Sequence, residues 1–213
     1  MKFIDKVHQY LRDIGCSEAE IEGFDSGSVY IAEAILLYAY KDTKRENGEA
    51  YHTHSFRVLN AYRDFVGIVP DDYFCLNEDL LLECGIPYKG IQEACVLHDV
   101  LSETDLTEED IAEMYEDLGL KSFFEAYILP TILTLKYDEY TDDAEYVYCI
   151  IGSPAASIVK FMELIDDINT IDAEGGSLDD KKSCAIFCKM INDKWHFDEK
   201  IKEYFRLKNG EEQ

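Results

Sequence analysis

The feature that most narrows the fold of this chain is a helical hydrophobic period running almost from end to end. Apolar residues recur three and four positions apart, and no stretch alternates apolar and polar over a useful strand length. Phe3, Val7, Tyr10 and Leu11 mark a first amphipathic helix that closes near Gly15. Residues 29–40, rich in Ala, Ile, Leu and Tyr, predict a largely buried helix. The polar run 41–48 ends in Asn47-Gly48 and reads as a turn. A helix is expected over about 52–66, with Phe56, Leu59, Ala61 and Phe65 on or near its apolar side. Residues 67–90 form a longer excursion holding a short helix around 77–84, and a buried helix spans 91 to about 101. Thr107, with Asp110 three places on, is close to a capping box for a helix that stops at Gly119. Further helices are expected over 121–135, 142–151, 155–170, 178–192 and 198–207, with Pro130 kinking or breaking the first. With no internal repeat, low-complexity tract or linker, the 213 residues make one all-α domain.

Charge restricts the partners. Twenty Lys and Arg stand against 45 Asp and Glu, a net charge of −25. Nucleic acid and anionic lipid are bound chiefly through Lys and Arg, so neither is an expected partner. A small anionic substrate stays compatible with this field if a metal and a few local cations offset it. Most of the acidic excess is expected on solvated helix exteriors. The seven cysteines (Cys16, Cys75, Cys84, Cys95, Cys149, Cys184, Cys188) are scattered and form no C-x-x-C pair. They read as reduced structural thiols of a cytosolic protein. The N-terminus lacks a signal-peptide apolar region, and no apolar run approaches the ~20 residues of a membrane span. The expected location is the cytoplasm.

Four places in the chain carry possible chemistry: residues 44–54, His98-Asp99, residues 102–105 and residues 159–170. His98-Asp99 follows the apolar run 94–97 and sets an imidazole beside a carboxylate, which suits a divalent metal. His52 and His54 are two apart on one helix and cannot both face inward. His54 shares its face with Val58 and Ala61 and is the inward candidate, leaving His52 at the surface or as a cap. Asp166 and Asp167 sit among Leu164, Ile165 and Ile168, where a buried acid needs a cation partner. Taken together, His54, His98, Asp99 and one of those two acids make a two-histidine, two-carboxylate set for Mn²⁺, Fe²⁺ or Zn²⁺. Such an ion lowers the pKa of water and polarises a phosphoryl oxygen, and Glu103 lies near enough in sequence to position or deprotonate that water. The plainer reading makes each histidine a hydrogen-bonded core residue and the acidic pair a solvated one.

The string 45–54, Arg-Glu-Asn-Gly-Glu-Ala-Tyr-His-Thr-His, resembles the Arg-Lys-x-Gly-Glu-Pro-Tyr-x-x-His segment of RelA/SpoT-type alarmone hydrolase domains, members of the HD superfamily of metal-dependent phosphohydrolases. Residues 97–111 are similar to that family's Leu-His-Asp-Val-Val-Glu-Asp-Thr segment and the helix start after it. Residues 162–170 are similar to its Val-Lys-Leu-Ala-Asp-Arg-Leu-x-Asn stretch. The three motifs occur in the family's order, within about residues 29–171, with further helices over 178–207. The resemblance implies a single HD-type helical domain with His54, His98, Asp99 and Asp166 as metal ligands and Mn²⁺ as the ion. It puts Glu103 where the family keeps a catalytic acid, with Ser102 beside it. It gives Arg45 a nucleotide contact, with Lys44, Tyr51, Asn169 and Thr170 as further substrate contacts. The family removes the 3′-pyrophosphate of guanosine tetra- or pentaphosphate.

Departures from the pattern fall mostly on the substrate side. The family's Glu-Asp pair is Ser102-Glu103, its Arg or Lys after the metal Asp is Asp167, its closing Asn is Thr170, and the Pro after Tyr-x-x-His is Ser55. The 67–90 excursion is long for the family, and the 213 residues hold no counterpart of a synthetase domain. Two alternatives therefore stand beside alarmone hydrolysis. One is hydrolysis of another nucleotide or phosphoester; the other is a catalytically silent HD-fold module that binds a nucleotide or a protein.

Overall fold

The computed structural model describes residues 1–45, 48–68, 77–137, 142–172 and 175–209. Among these no strand forms beyond a lone bridge between Lys44 and Ala50, and the elements are helices throughout. They are α1 (Phe3–Asp13), α2 (Glu18–Phe24), α3 (Ser28–Ala39), α4 (His52–Val66), α5 (Glu78–Glu83), α6 (Ile91–Leu97) and α7 (Val100–Glu103). There follow α8 (Glu108–Asp117), α9 (Lys121–Phe123), a π-helical segment (Phe124–Ile128), α10 (Leu129–Leu135), α11 (Asp143–Gly152), α12 (Pro154–Thr170), α13 (Leu178–Trp195) and α14 (Phe197–Lys208). No single helix among the described residues is long and apolar enough to cross a membrane. Asn47 of the expected turn, and residues 69–76 of the excursion with Cys75, lie outside the described residues.

At the centre is α6, every residue of which is buried. It packs on α4 and α3, and α12 packs on α4 and α13. An all-round buried helix with polar members must have them bonded. Arg63 of α4 donates from Nε to Gln92 Oε1 at 2.9 Å and lies 3.9 Å from Glu33 of α3. Burial raises the pKa of Glu93, the one acid of α6.

The helix expected to run through residue 101 breaks instead at His98 and Asp99, and a short α7 resumes beyond. Its start is equally determined. Gly90 precedes α6 at φ 72°, and a Cβ there would meet Tyr127 Cβ at 2.9 Å and the Tyr127 backbone carbon at 3.1 Å.

Three further differences have local causes. The helix α2 was not expected, although Ser17 and Glu20 form a reciprocal capping box at its start. Pro130 does not end the helical run, which passes from α9 through the π-helical segment into α10. Having no N–H, it cannot bond back to residue 126, and the chain widens so that Leu129 N–H reaches the Phe124 carbonyl. On α4 the buried line is His54, Ser55, Val58, Leu59, Tyr62 and Val66, while the expected Phe56, Ala61 and Phe65 are only half-buried. The described part of the excursion packs outward: α5 lies on α14, and Lys200 and Lys208 donate to the Gly85 and Gly67 carbonyls. The six described cysteines are free thiols.

Gly90→Ala should destabilise the protein by about 2–4 kcal/mol, from the left-handed backbone and the overpacking against Tyr127 together. Urea denaturation of the variant measures this; a loss under about 1 kcal/mol would mean that α6 can re-seat.

Candidate metal centre

Three helices bring the expected ligands together. His54 comes from the first turn of α4, His98 and Asp99 from the break after α6, and Asp166 and Asp167 from the last turns of α12. His54, His98 and Asp99 offer ligand atoms within 4.8 Å of one another, as do His54, Asp166 and Asp167. The two groups share His54. Its Nε2 faces Asp99 Oδ2 at 3.9 Å, and its Nδ1 lies 2.8 Å from Asp166 Oδ2. The ring centroids of His54 and His98 are 5.2 Å apart.

His98 carries the most pointed observation. Its Nδ1 lies 2.9 Å from the Cys95 carbonyl and donates to it, which leaves Nε2 as the lone-pair nitrogen of the neutral ring. That Nε2 is buried and has no hydrogen-bond partner, although Asp99 Oδ2 is 3.2 Å away. An orphaned imidazole nitrogen facing a carboxylate and a second histidine is a donor set that fits a first-row divalent ion. Without such an ion, burial lowers the His98 pKa and the Asp99 charge more than reverses this, to about 9. The Asp99 carboxyl is held low against its own burial by His98.

The acidic pair is not solvated. Asp166 is buried and Asp167 half-buried. The cation partner that Asp166 needs is Arg57, whose Nε donates to Asp166 Oδ1 at 2.7 Å while Nη1 donates to Glu49 Oε1 at 2.6 Å. Burial pushes the Asp166 pKa up, and the bonds from His54 and Arg57 pull it below the usual range. Asp167 has no such bond; burial and then Glu163 raise it to about 6. A second buried ion pair, Lys160 Nζ to Glu163 Oε1 at 2.5 Å, lies one to two turns earlier on α12. Sequence reading did not single out Arg57, Lys160 or Glu163. Only Arg57 left a signal, being one turn beyond His54 on the same helix.

The substrate candidates are placed less uniformly. Tyr51 donates to Asp99 Oδ2 at 3.4 Å, and the Arg45 guanidinium stands 5.8 Å from the Tyr51 ring centre. Ser102 and Glu103 line a cavity of about 350 Å³ with Ala39, Thr43, Thr104 and Asp105. Lys44 is exposed in the bridge to Ala50, and Asn169 is exposed. Thr170 spends its hydroxyl on the Asp166 carbonyl at 3.0 Å. His52 is half-buried, its ring edge-on to Phe56.

No protein-family model matches the chain, and no curated protein matches it. A solved structure does match: a metazoan ortholog of SpoT described as hydrolysing ppGpp and playing a role in starvation responses. It aligns over 86% of this chain and 96% of its own, at 17% identity and a TM-score of 0.52. The likeness is one of fold: the chain shares the all-α fold of that structure.

Arg57→Met should cost about 1–3 kcal/mol at neutral pH by removing the cation bonded to both Asp166 and Glu49. The sign with pH follows from the depressed Asp166 pKa. The pair's contribution is present above the ordinary carboxylate range near pH ~4 and is lost as pH falls through the folded value. Urea midpoints from pH 7 to 3 should therefore fall less in the variant than in the wild type, and parallel curves would show that the pair contributes nothing.

Proposed function

We propose that this protein is a metal-dependent phosphohydrolase of the HD type acting on a small nucleotide, with removal of an alarmone 3′-pyrophosphate as its reaction. The observation that carries the reading is the buried, unpartnered His98 Nε2 set against Asp99 and His54. His54, His98, Asp99 and Asp166 are the residues that would hold the ion, with Arg57 fixing Asp166 from its other oxygen. A divalent ion, when bound there, makes water nucleophilic near neutral pH and polarises a phosphoryl oxygen. Mn²⁺ suits such a mixed nitrogen and oxygen set, as do Fe²⁺ and Zn²⁺. Glu103 serves as the base that orients and deprotonates the attacking water, and Ser102 beside it donates a hydrogen bond without charge. Tyr51, next to Asp99, and Arg45, beside the Tyr51 ring, contact the substrate. Lys44, Asn169 and Thr170 complete the contacts at the rim. The fold shared with a ppGpp hydrolase supports the substrate assignment.

A second reading keeps the residues and changes the substrate to a less charged phosphoester. It is favoured by Asp167, a half-buried acid at the cluster where the alarmone family has a cation.

Purified protein loaded with Mn²⁺ should release pyrophosphate from guanosine tetraphosphate, Asp99→Ala should abolish the release, and Glu103→Gln should lower it by about 10²–10⁴-fold. Turnover of a nucleoside monophosphate but not of the alarmone would select the second reading. Stoichiometric metal with no turnover across a nucleotide panel would sink both and leave a silent binding module.

A further inference from the structure

Tyr40, the residue after α3, carries a hydroxyl that the fold leaves without a partner. The side chain is 1% exposed, and its oxygen is buried with no hydrogen bond. An unpaired donor in the interior costs about 1–3 kcal/mol, and phenylalanine would fill the same space without that cost. The hydroxyls of Tyr204, Ser55 and Ser28 are also unpartnered. What sets Tyr40 apart is its neighbourhood. Its ring stacks on Tyr51, with centroids 4.4 Å apart and planes 18° apart. Tyr51 in turn donates to Asp99. Asp99, Tyr51 and Glu103 are the groups whose charge acts on the Tyr40 hydroxyl.

The contacts of Asp99 suggest what that hydroxyl is for. Tyr51, His54 and His98 all face one oxygen, Oδ2, which is turned into the cluster. None of these three contacts falls on the other oxygen, Oδ1. A carboxylate that ligates a metal is normally hydrogen-bonded from outside, which fixes its direction and basicity. We infer that Tyr40 is a positioning residue for a metal-loaded site: its hydroxyl donates to Asp99 when that carboxylate turns onto a divalent ion, with Tyr51 stacked against it as a guide. This rests on the metal site proposed above. The stack holds the Tyr40 ring alongside Tyr51, which itself bonds Asp99, and the unpaired donor favours the loaded state over the metal-free one. Energy spent on the idle hydroxyl is recovered as metal affinity.

The test compares full-length wild type with Tyr40→Phe in two measurements that need no substrate. Titration of the metal-free proteins with Mn²⁺, followed by electron paramagnetic resonance, should show the affinity of the variant weakened about 10–100-fold. Thermal unfolding of the same metal-free proteins should show the variant as stable as the wild type or more so. Affinities within twofold would overturn the inference. So would a metal-free variant that melts several degrees lower or fails to fold, because the hydroxyl would then be paired in the fold itself. If the wild type takes up no Mn²⁺, Fe²⁺ or Zn²⁺, the metal-site reading fails and takes this inference with it. If wild type binds metal and the variant binds it equally well, only the role of Tyr40 falls.

Discussion

Everything in this molecule is arranged around one buried helix. Residues Ile91–Leu97 have no solvent face, so α3, α4, α10 and α12 must close around them. Burying a Val, Leu or Ile side chain contributes about 1.5–3 kcal/mol, and Ile91, Val96 and Leu97 of this helix are all fully buried. Its two ends are held by different means. Gly90 allows close approach to Tyr127 at the start, and the break at His98 ends it inside the protein. Helix ends are ordinarily placed at the surface, where water can pair the last carbonyls. Here the Cys95 carbonyl takes the His98 ring as its partner, and so the end of the helix and the orientation of the imidazole are set by one bond.

The second theme is how an acidic chain keeps carboxylates inside. Buried charges persist only when paired, because desolvation costs several kcal/mol per ion. Arg57 links Glu49, Asp166 and through it His54, tying the loop before α4 to the far end of α12. Lys160 is held charged, against its burial, by Glu163 on the same helix. Asp167 has no hydrogen bond of that kind, and burial and Glu163 raise its pKa while His54, Lys160 and Arg45 act the other way. The cluster thus gathers Asp99, Asp166 and Asp167 around His54 and His98, and a divalent cation bound there would interact favourably with all three carboxylates.

Much of the fold was legible because amphipathic helices announce themselves. The helix over 52–66 and the Thr107–Asp110 capping box are formed as the periodicity and cap residues say. The capping pair Ser17 and Glu20 likewise starts a helix, but one that was not expected, since Glu18–Phe24 buries just Ile21 and so shows little periodicity. Two features went the other way. The apolar run through residue 101 reads as one helix, yet the side-chain bond of His98 to its own helix is an option that hydrophobic pattern does not encode. Pro130 reads as a kink or a break, and what forms is a π turn that absorbs the missing N–H between two helical stretches.

The amino-acid sequence by itself determined that the chain is helical, which faces of most helices turn inward, and that His54 rather than His52 goes with them. These follow from periodicity and local capping, which act over a few residues. Only the tertiary structure decided that Asp166 is buried and bonded to His54 across 112 positions, and that Arg57 is the cation that permits it. It also decided that Tyr40 ends beneath Tyr51 with its hydroxyl idle. Such pairings depend on how the helices cross, and a side chain's partner at long range is set by the packing of the surfaces around it rather than by its neighbours in the chain.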